Sequence, residues 1–413
     1  MLRRIKNIPG NVPDPDELYG RGDLLAHLWR QLQGNNLLLL APRRFGKTGV
    51  MHHVTGRPES PYLPIYLDLE DVDSPEEFVW RVTREIVSRQ PLRKLLRDAH
   101  RLPGAIGEWV KDTVDEVEFE GARVRFKQAI RDDWATAARR MMLELEKAGP
   151  TVVFVFDELA SMLDLIRRRH DVNAAQQFMA WFRSVRLQQK DKLRRHRFIV
   201  AGSTGIDLIL RRLDAPDKLN DFERIYVEPI APAHAEALVR DLAASTGLGL
   251  SDAMVARVLD LMTPHVPYFI HLLFSQLGQL PPAQRNLLTD ETLADVYHRR
   301  VLGPSCKHYF DHYRGRLGRY GKPLERGAMA VLSAVADAPA GRVSASVLYD
   351  VYQRARGPRA NELEFDDLIA DLECDWYLAL DARTNEYHFL VDLMRDWWRR
   401  WFGSPCRRRA GEE

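Results

Sequence analysis

Leu37-Leu38-Leu39-Leu40-Ala41-Pro42-Arg43-Arg44-Phe45-Gly46-Lys47-Thr48 is the stretch on which the reading of this chain turns. Four consecutive leucines read as a strand buried on both faces. A loop that cradles phosphate needs backbone N–H groups aimed into one concavity, a glycine where a side chain would collide, and a helix N-terminus behind it. It also needs a lysine for the β- and γ-phosphates and a hydroxyl for Mg²⁺. Gly46, Lys47 and Thr48 meet these needs. The pattern is GxxxxGK[ST] with Ala41 in place of the first glycine, a change tolerated if that residue's backbone is not left-handed. The candidate phosphate-binding residues are therefore Pro42, Arg43, Arg44, Phe45, Gly46, Lys47, Thr48 and Gly49. The Lys47 head is expected to face solvent in the absence of ligand. A Gly-Lys-Thr occurring by chance in a loop is the alternative, and the buried strand before it argues against that.

Downstream, Val152-Val153-Phe154-Val155-Phe156-Asp157-Glu158 is a second buried strand that delivers two acids to its C-terminal edge, where open α/β sheets bind ligands. Asp157 would hold Mg²⁺ together with Thr48, and Glu158 would polarise the attacking water. Read alone, the pair would serve equally as an acidic helix start. A third strand, Phe198–Ala201, runs into Gly202-Ser203-Thr204-Gly205. If it lies beside the Asp157 strand, Ser203 or Thr204 stands where a hydroxyl can orient water. A plain turn is the other reading.

Around these motifs the pattern is strand alternating with helix. A turn at Leu18–Asp23 feeds an amphipathic helix through Leu24, Leu28 and Leu32. A strand is expected at Leu63–Leu69, and Ser74-Pro75-Glu76-Glu77 is a helix start. Val117–Phe126 alternates around Gly121 as a hairpin would. Such alternation argues for a parallel sheet wrapped by helices. Residues 232–300 look all-helical. From about 322 the order is three helices (326–337, 345–356, 362–374), a short hairpin around Asp381–Asn385, and a helix to Phe402, which is winged-helix order. Trp397, Trp398 and Trp401 are spaced to pack that last helix on its domain.

Composition narrows the class. The chain has 413 residues, 45% apolar and 29% charged, enough for two to three domains. No apolar run approaches the ~18 residues of a membrane span, and Met1–Lys6 is basic with no apolar segment behind it, so no signal peptide is expected. Three scattered cysteines offer neither a disulfide framework nor a zinc spacing, and point to a reducing cytoplasm. The net charge of +2 does not nominate nucleic acid as a partner.

With Tyr19-Gly20-Arg21, the Pro-Arg-Arg-Phe-Gly-Lys-Thr loop, the Phe-Asp-Glu acids and the Ala-Gly-Ser-Thr strand end in this order, nearly the whole chain resembles the archaeal-type ATPases of the STAND class, relatives of AAA+ and origin-recognition ATPases. The resemblance implies an α/β P-loop core (1–230), a helical lid (231–321) and a C-terminal winged helix (322–413), with ATP and Mg²⁺ as cofactors bound at the core–lid cleft. It makes Tyr19 and Arg21 candidate base contacts. It also matches Thr263–Tyr268 to the lid motif, of which Pro267 remains while Pro264 and His265 replace glycines. Arg224, with Arg211 and Arg212, lies where such proteins carry an arginine finger, though a surface or salt-bridged arginine is the favoured reading of each. The implied activity is an ATP-driven regulatory switch acting through protein partners or a homo-oligomer, in settings such as stress or phage-defence modules. DNA binding by the winged helix is the alternative. It is not favoured, because Glu362, Glu364, Asp366, Asp367, Asp371 and Glu373 crowd the helix that would enter the groove, although Arg407–Arg409 would favour DNA.

Overall fold

The computed structural model describes residues 5–7, 9–10, 13–14, 17–89, 133–148, 151–187, 196–203 and 205–403. The hairpin expected at 117–126, Thr204 and Arg407–Arg409 lie outside the described residues. The chain divides into two compact units. One, the sheet unit, comprises Asp23–Leu40 and Lys47–Tyr226; the other comprises Met1–Gly22, Ala41–Gly46 and Val227–Glu413.

Among the described residues the sheet unit holds five strands: β1 (Asn36–Ala41), β2 (Tyr62–Asp68), β3 (Thr151–Asp157), β4 (Arg197–Ser203) and β5 (Phe222–Tyr226), in the order β2-β3-β4-β1-β5. The pairs β2–β3, β3–β4 and β1–β5 run parallel. β4 therefore separates the strand that feeds the phosphate loop from the strand that carries Asp157, and it lies beside β3 as its sequence anticipates. Burial follows position. Every residue of β3 after Thr151 is buried, whereas edge strand β5 buries Phe222 and Ile225 and exposes the rest. Pro64 falls in β2, the other edge, where a missing N–H costs no ladder bond.

Helices α1 (Gly22–Leu32), α2 (Lys47–Gly56), α3 (Pro75–Ser88), α4 (Trp134–Ala148), α5 (Leu159–Arg169), α6 (Val172–Leu187) and α7 (Ile206–Arg212) complete this unit. The start of α3 is the one its sequence signature predicts. The Ser74 hydroxyl accepts the Glu77 N–H at 3.2 Å and Pro75 occupies the first turn. The core is rich in aromatic rings: Phe78 packs edge-on against Phe156 and Phe178, and Phe198 stacks on Phe154.

The second unit is largely helical: α8 (Pro232–Thr246), α9 (Asp252–Leu261), α10 (Pro267–Leu277), short helical turns between Pro282 and Tyr320, then α11 (Lys322–Asp337), α12 (Ala345–Arg356), α13 (Glu362–Cys374) and α14 (Asp392–Phe402). Strands β7 (Leu378–Asp381) and β8 (Glu386–Phe389) form the expected hairpin. A third strand that the sequence pattern does not announce, β6 (Arg342–Ser344), pairs antiparallel with β8. Trp397 and Trp398 are fully buried, and the Trp398 indole N–H donates to Ser333 Oγ at 3.1 Å.

Candidate functional site

Strand β1 ends at Ala41, which is buried and extended, so the missing first glycine is replaced by a residue that needs no left-handed backbone. The turn is made further on. Arg44 has φ 74° and Gly46 φ 94°, after which Lys47 opens α2. Alternating handedness of this kind turns successive N–H groups toward one side, as an anion requires. For Gly46 it is the angle that demands glycine, since an added Cβ would meet no atom closer than 4.0 Å. One expectation is corrected here. Lys47 is only 6% exposed, and its ammonium lies near enough to Asp157 to hold that acid's pKa down.

Within the sheet unit, Asp157 stands at the C-terminal end of β3, 5% exposed. Its Oδ2 accepts from Thr48 Oγ1 at 3.1 Å and from the Tyr66 hydroxyl at 3.3 Å; its Oδ1 accepts the Glu158 N–H at 2.9 Å. Burial, then the neighbouring Glu158 charge, pushes Asp157 up to about 6, with Lys47 and Thr48 opposing. Asp68 ends β2 in register with Asp157 and raises it slightly further. Glu158 precedes α5 with φ 57°, ψ 35°, a left-handed conformation that costs a non-glycine residue ~1 kcal/mol. Its Oε2 accepts from Ser161 Oγ at 2.9 Å. The donor set suits a hard cation that keeps most of its waters and takes its remaining ligands from phosphate: one hydroxyl at Thr48 and one carboxylate at Asp157. No all-protein cage of three or more acidic, histidine or cysteine ligands exists among the described residues.

Residues Ala41–Gly46 belong to the second unit, which anchors three successive loop residues. The Tyr313 hydroxyl donates to the Arg43 carbonyl at 3.0 Å. The Arg44 guanidinium sits 4.9 Å over the Tyr268 ring and donates to the Gly10 carbonyl at 3.4 Å. The Phe45 carbonyl accepts from Arg21 Nη2 at 3.1 Å, and its ring meets Trp376 edge-on at 5.4 Å. Arg21 also donates to the Glu228 carbonyl at 2.6 Å. It is 5% exposed, and burial lowers it to about 10, so it stays charged at neutral pH. His312, pressed down to about 3 by burial and then by the Arg44 and Arg43 guanidiniums, stays neutral.

The remaining candidates fall in varied places. The Tyr19 hydroxyl donates to Asp241 Oδ2 at 2.7 Å, and Arg21 is occupied by the two carbonyls, so neither head stands free for a base in this conformation. Pro267 opens α10. Ser203 closes β4 beside the Asp157 strand. Arg224 lies within edge strand β5, opposite Leu38, in a two-pronged pair with Asp207 at 2.7 and 2.9 Å. Arg211 and Arg212 close α7 on the surface. Sequence reasoning missed Tyr66, Asp68, Ser161, Tyr268, Tyr313 and Trp376. Only the first two carried a signal: they are two residues apart on one strand, hence on one face, and pairing β2 with β3 in parallel sets them beside the acids.

No family model matches the chain, and no curated relative does. Solved structures do. Over 93% of this chain and 97% of the other, it is similar at 15% identity and a TM-score of 0.60 to the Walker-type ATPase PABY2304 of Pyrococcus abyssi. Over 97% of this chain and 99% of the other, it is similar at 11% identity and a TM-score of 0.55 to the Aeropyrum pernix ORC2 protein, solved as ADPNP–ADP complexes. The fold of this chain is the one found in these two proteins, an α/β fold built around a parallel sheet.

Proposed function

We propose that the chain binds ATP with Mg²⁺ and hydrolyses it. The observation that carries this reading is the sheet-edge group in which Thr48, Lys47 and Glu158 all bear on the buried carboxylate of Asp157. Lys47 exchanges its neighbouring carboxylate for the β- and γ-phosphates, while the amides of the Arg44–Lys47 turn receive phosphate oxygens. Thr48 Oγ and Asp157 would hold Mg²⁺, which when bound neutralises phosphate charge and polarises the bond to be broken. Glu158 is the general base. Its carboxylate accepts a proton from the attacking water, and Ser161 holds it in the meantime. To Ser203, which ends the strand between β1 and β3, we assign the orienting of that water. The two neighbours named as a Walker-type ATPase and as an ADPNP- and ADP-bound protein support the reading.

The biological role we propose is a regulatory switch that acts through a protein partner or further copies of itself, with residues 1–230 as core, 231–321 as lid and 322–413 as a winged helix. DNA binding by that last domain is the second reading, for which the basic run Arg407–Arg409 speaks. Against it, Glu362, Asp366 and Asp367 are exposed on α13, and phosphate repels them. Steady-state hydrolysis by the wild type and by Glu158→Gln tests the proposal. The variant should bind Mg·ATP normally and lose ~10²–10⁴ in rate. Wild-type turnover in Glu158→Gln would assign the base elsewhere, and no turnover in the wild type would reduce the protein to a binding switch.

A further inference from the structure

We propose that Tyr66 is a positioning residue that holds the metal-binding carboxylate of Asp157 at the angle Mg·ATP requires. The inference rests on the ATP-binding reading above and names a part of that site to which the sequence motifs give no role.

Among the groups that donate to the Asp157 carboxylate are the Thr48 hydroxyl, the Tyr66 hydroxyl and the Glu158 N–H. Two of them come from groups that also serve elsewhere in the site. Thr48 Oγ1 must turn a lone pair toward the metal, and the Glu158 N–H belongs to the residue that carries the general base, already in a left-handed conformation. When Thr48 rotates to ligate, Oδ2 loses that donor. The hydroxyl of Tyr66, 3.3 Å from the same Oδ2, still donates to it then. Its own orientation is secured independently. The phenol ring lies 4.8 Å from the His52 ring, inclined at 51°, and His52 is on α2, the helix that Lys47 and Thr48 open. One side chain thus packs against the phosphate helix and hydrogen-bonds the acid of β3. The strand pairing makes this possible. Tyr66 pairs with Val155 and Asp68 with Asp157, so a long side chain from position 66 reaches forward along the sheet edge to the acid.

A carboxylate that meets a metal through water or directly must present one oxygen along a narrow range of directions, and the groups behind it set that range. Removing the phenolic hydroxyl while keeping the ring leaves the His52 contact intact and frees Asp157 to rotate. The test is Tyr66→Phe in the full chain. The readouts are the Mg²⁺ concentration that half-saturates ATP binding at fixed ATP, and the affinity for ATP in excess chelator. The expected result is a 3- to 10-fold higher Mg²⁺ requirement (roughly one hydrogen bond to a charged group at the long end of its range), with metal-free ATP affinity unchanged within about 2-fold. In an Asp157→Asn background the same substitution should change the Mg²⁺ requirement by less than about 2-fold, because the residue acts through that carboxylate. A structural role would instead produce equal losses in both backgrounds and in chelator. An unchanged Mg²⁺ requirement, or an undiminished effect beside Asp157→Asn, overturns the inference alone. A wild type whose ATP affinity is indifferent to Mg²⁺ overturns the underlying reading as well.

Discussion

Replacing Arg21 by methionine separates two roles that the residue could play. As a base contact it would matter only to nucleotides carrying adenine; as a loop anchor it would matter to any ligand that presents phosphates. The structure favours the anchor. The guanidinium is 5% exposed and its two contacts are the carbonyls of Phe45 and Glu228, at 3.1 and 2.6 Å. Each such bond from a charged donor contributes ~1.5–3 kcal/mol. Burial works against the charge, lowering its pKa from 12.5 to about 10, which corresponds to ~3 kcal/mol. The net contribution to folding is thus small, and methionine, similar in length and apolar, should change global stability by no more than ~1–2 kcal/mol after two carbonyls lose a donor. The loop suffers more. The Phe45 carbonyl is the hinge before Gly46, and without Arg21 it is free to turn, leaving Tyr313 on Arg43, Tyr268 on Arg44 and Trp376 on the Phe45 ring as anchors. A loss of ~1.5 kcal/mol of preorganisation weakens binding by ~10-fold. Titration calorimetry with Mg·ATP, Mg·GTP and inorganic triphosphate should show the same fractional loss for all three, beside a denaturation midpoint close to the wild type. A loss confined to ATP would refute the anchor and restore the base contact. Unchanged affinity for all three would show that the loop holds its shape without Arg21.

Lys47→Ala should weaken Mg·ATP binding by at least ~100-fold, the scale of losing a buried charged contact to phosphate. Because Lys47 is buried near Asp157 it should also cost measurable stability; a mutant as stable as the wild type in denaturant titration would contradict that burial. His271 is held down to about 4 by burial, against an ordinary 6.5, with Nδ1 3.1 Å from Asn7 Oδ1. The folded chain excludes a proton that the unfolded chain binds, so this contribution is present above pH 6.5 and is lost as pH falls toward 4, by up to ~3 kcal/mol. His271→Gln should flatten the denaturation midpoint between those pH values, and parallel pH profiles would reject the assignment. Duplex DNA should bind no tighter than ~10⁻⁴–10⁻⁶ M at physiological salt and leave ATP hydrolysis unchanged. Sub-micromolar, sequence-selective binding lost on deleting residues 322–413 would make DNA the partner.

Local chemistry was enough to read the sheet and its two motifs. Leu37–Leu40 and Val152–Phe156 read as strands buried on both sides, and they are strands. Acids at the end of one such strand and Gly-Lys-Thr near the end of another point to where phosphate and metal chemistry would belong, because each requirement is met by residues adjacent in the chain. The Ser74-Pro75 helix start and the order of the last three helices and hairpin were legible for the same reason. What lies across the chain was not. Lys47 is buried with its charge bearing on Asp157, which comes from a strand distant in the sequence. Tyr66 reaches Asp157 only because β2 pairs with β3 in the register that sets position 68 beside position 157. The anchors of Arg43, Arg44 and Phe45 come from Tyr313, Tyr268, Trp376 and Arg21, far from the loop in sequence. Arg224, for which the sequence left both an arginine finger and a surface ion pair open, is paired with Asp207 from α7. Local patterning carries information about neighbours within a few residues, whereas the partners of a charged or phenolic side chain follow from strand order and packing, which only the folded chain settles.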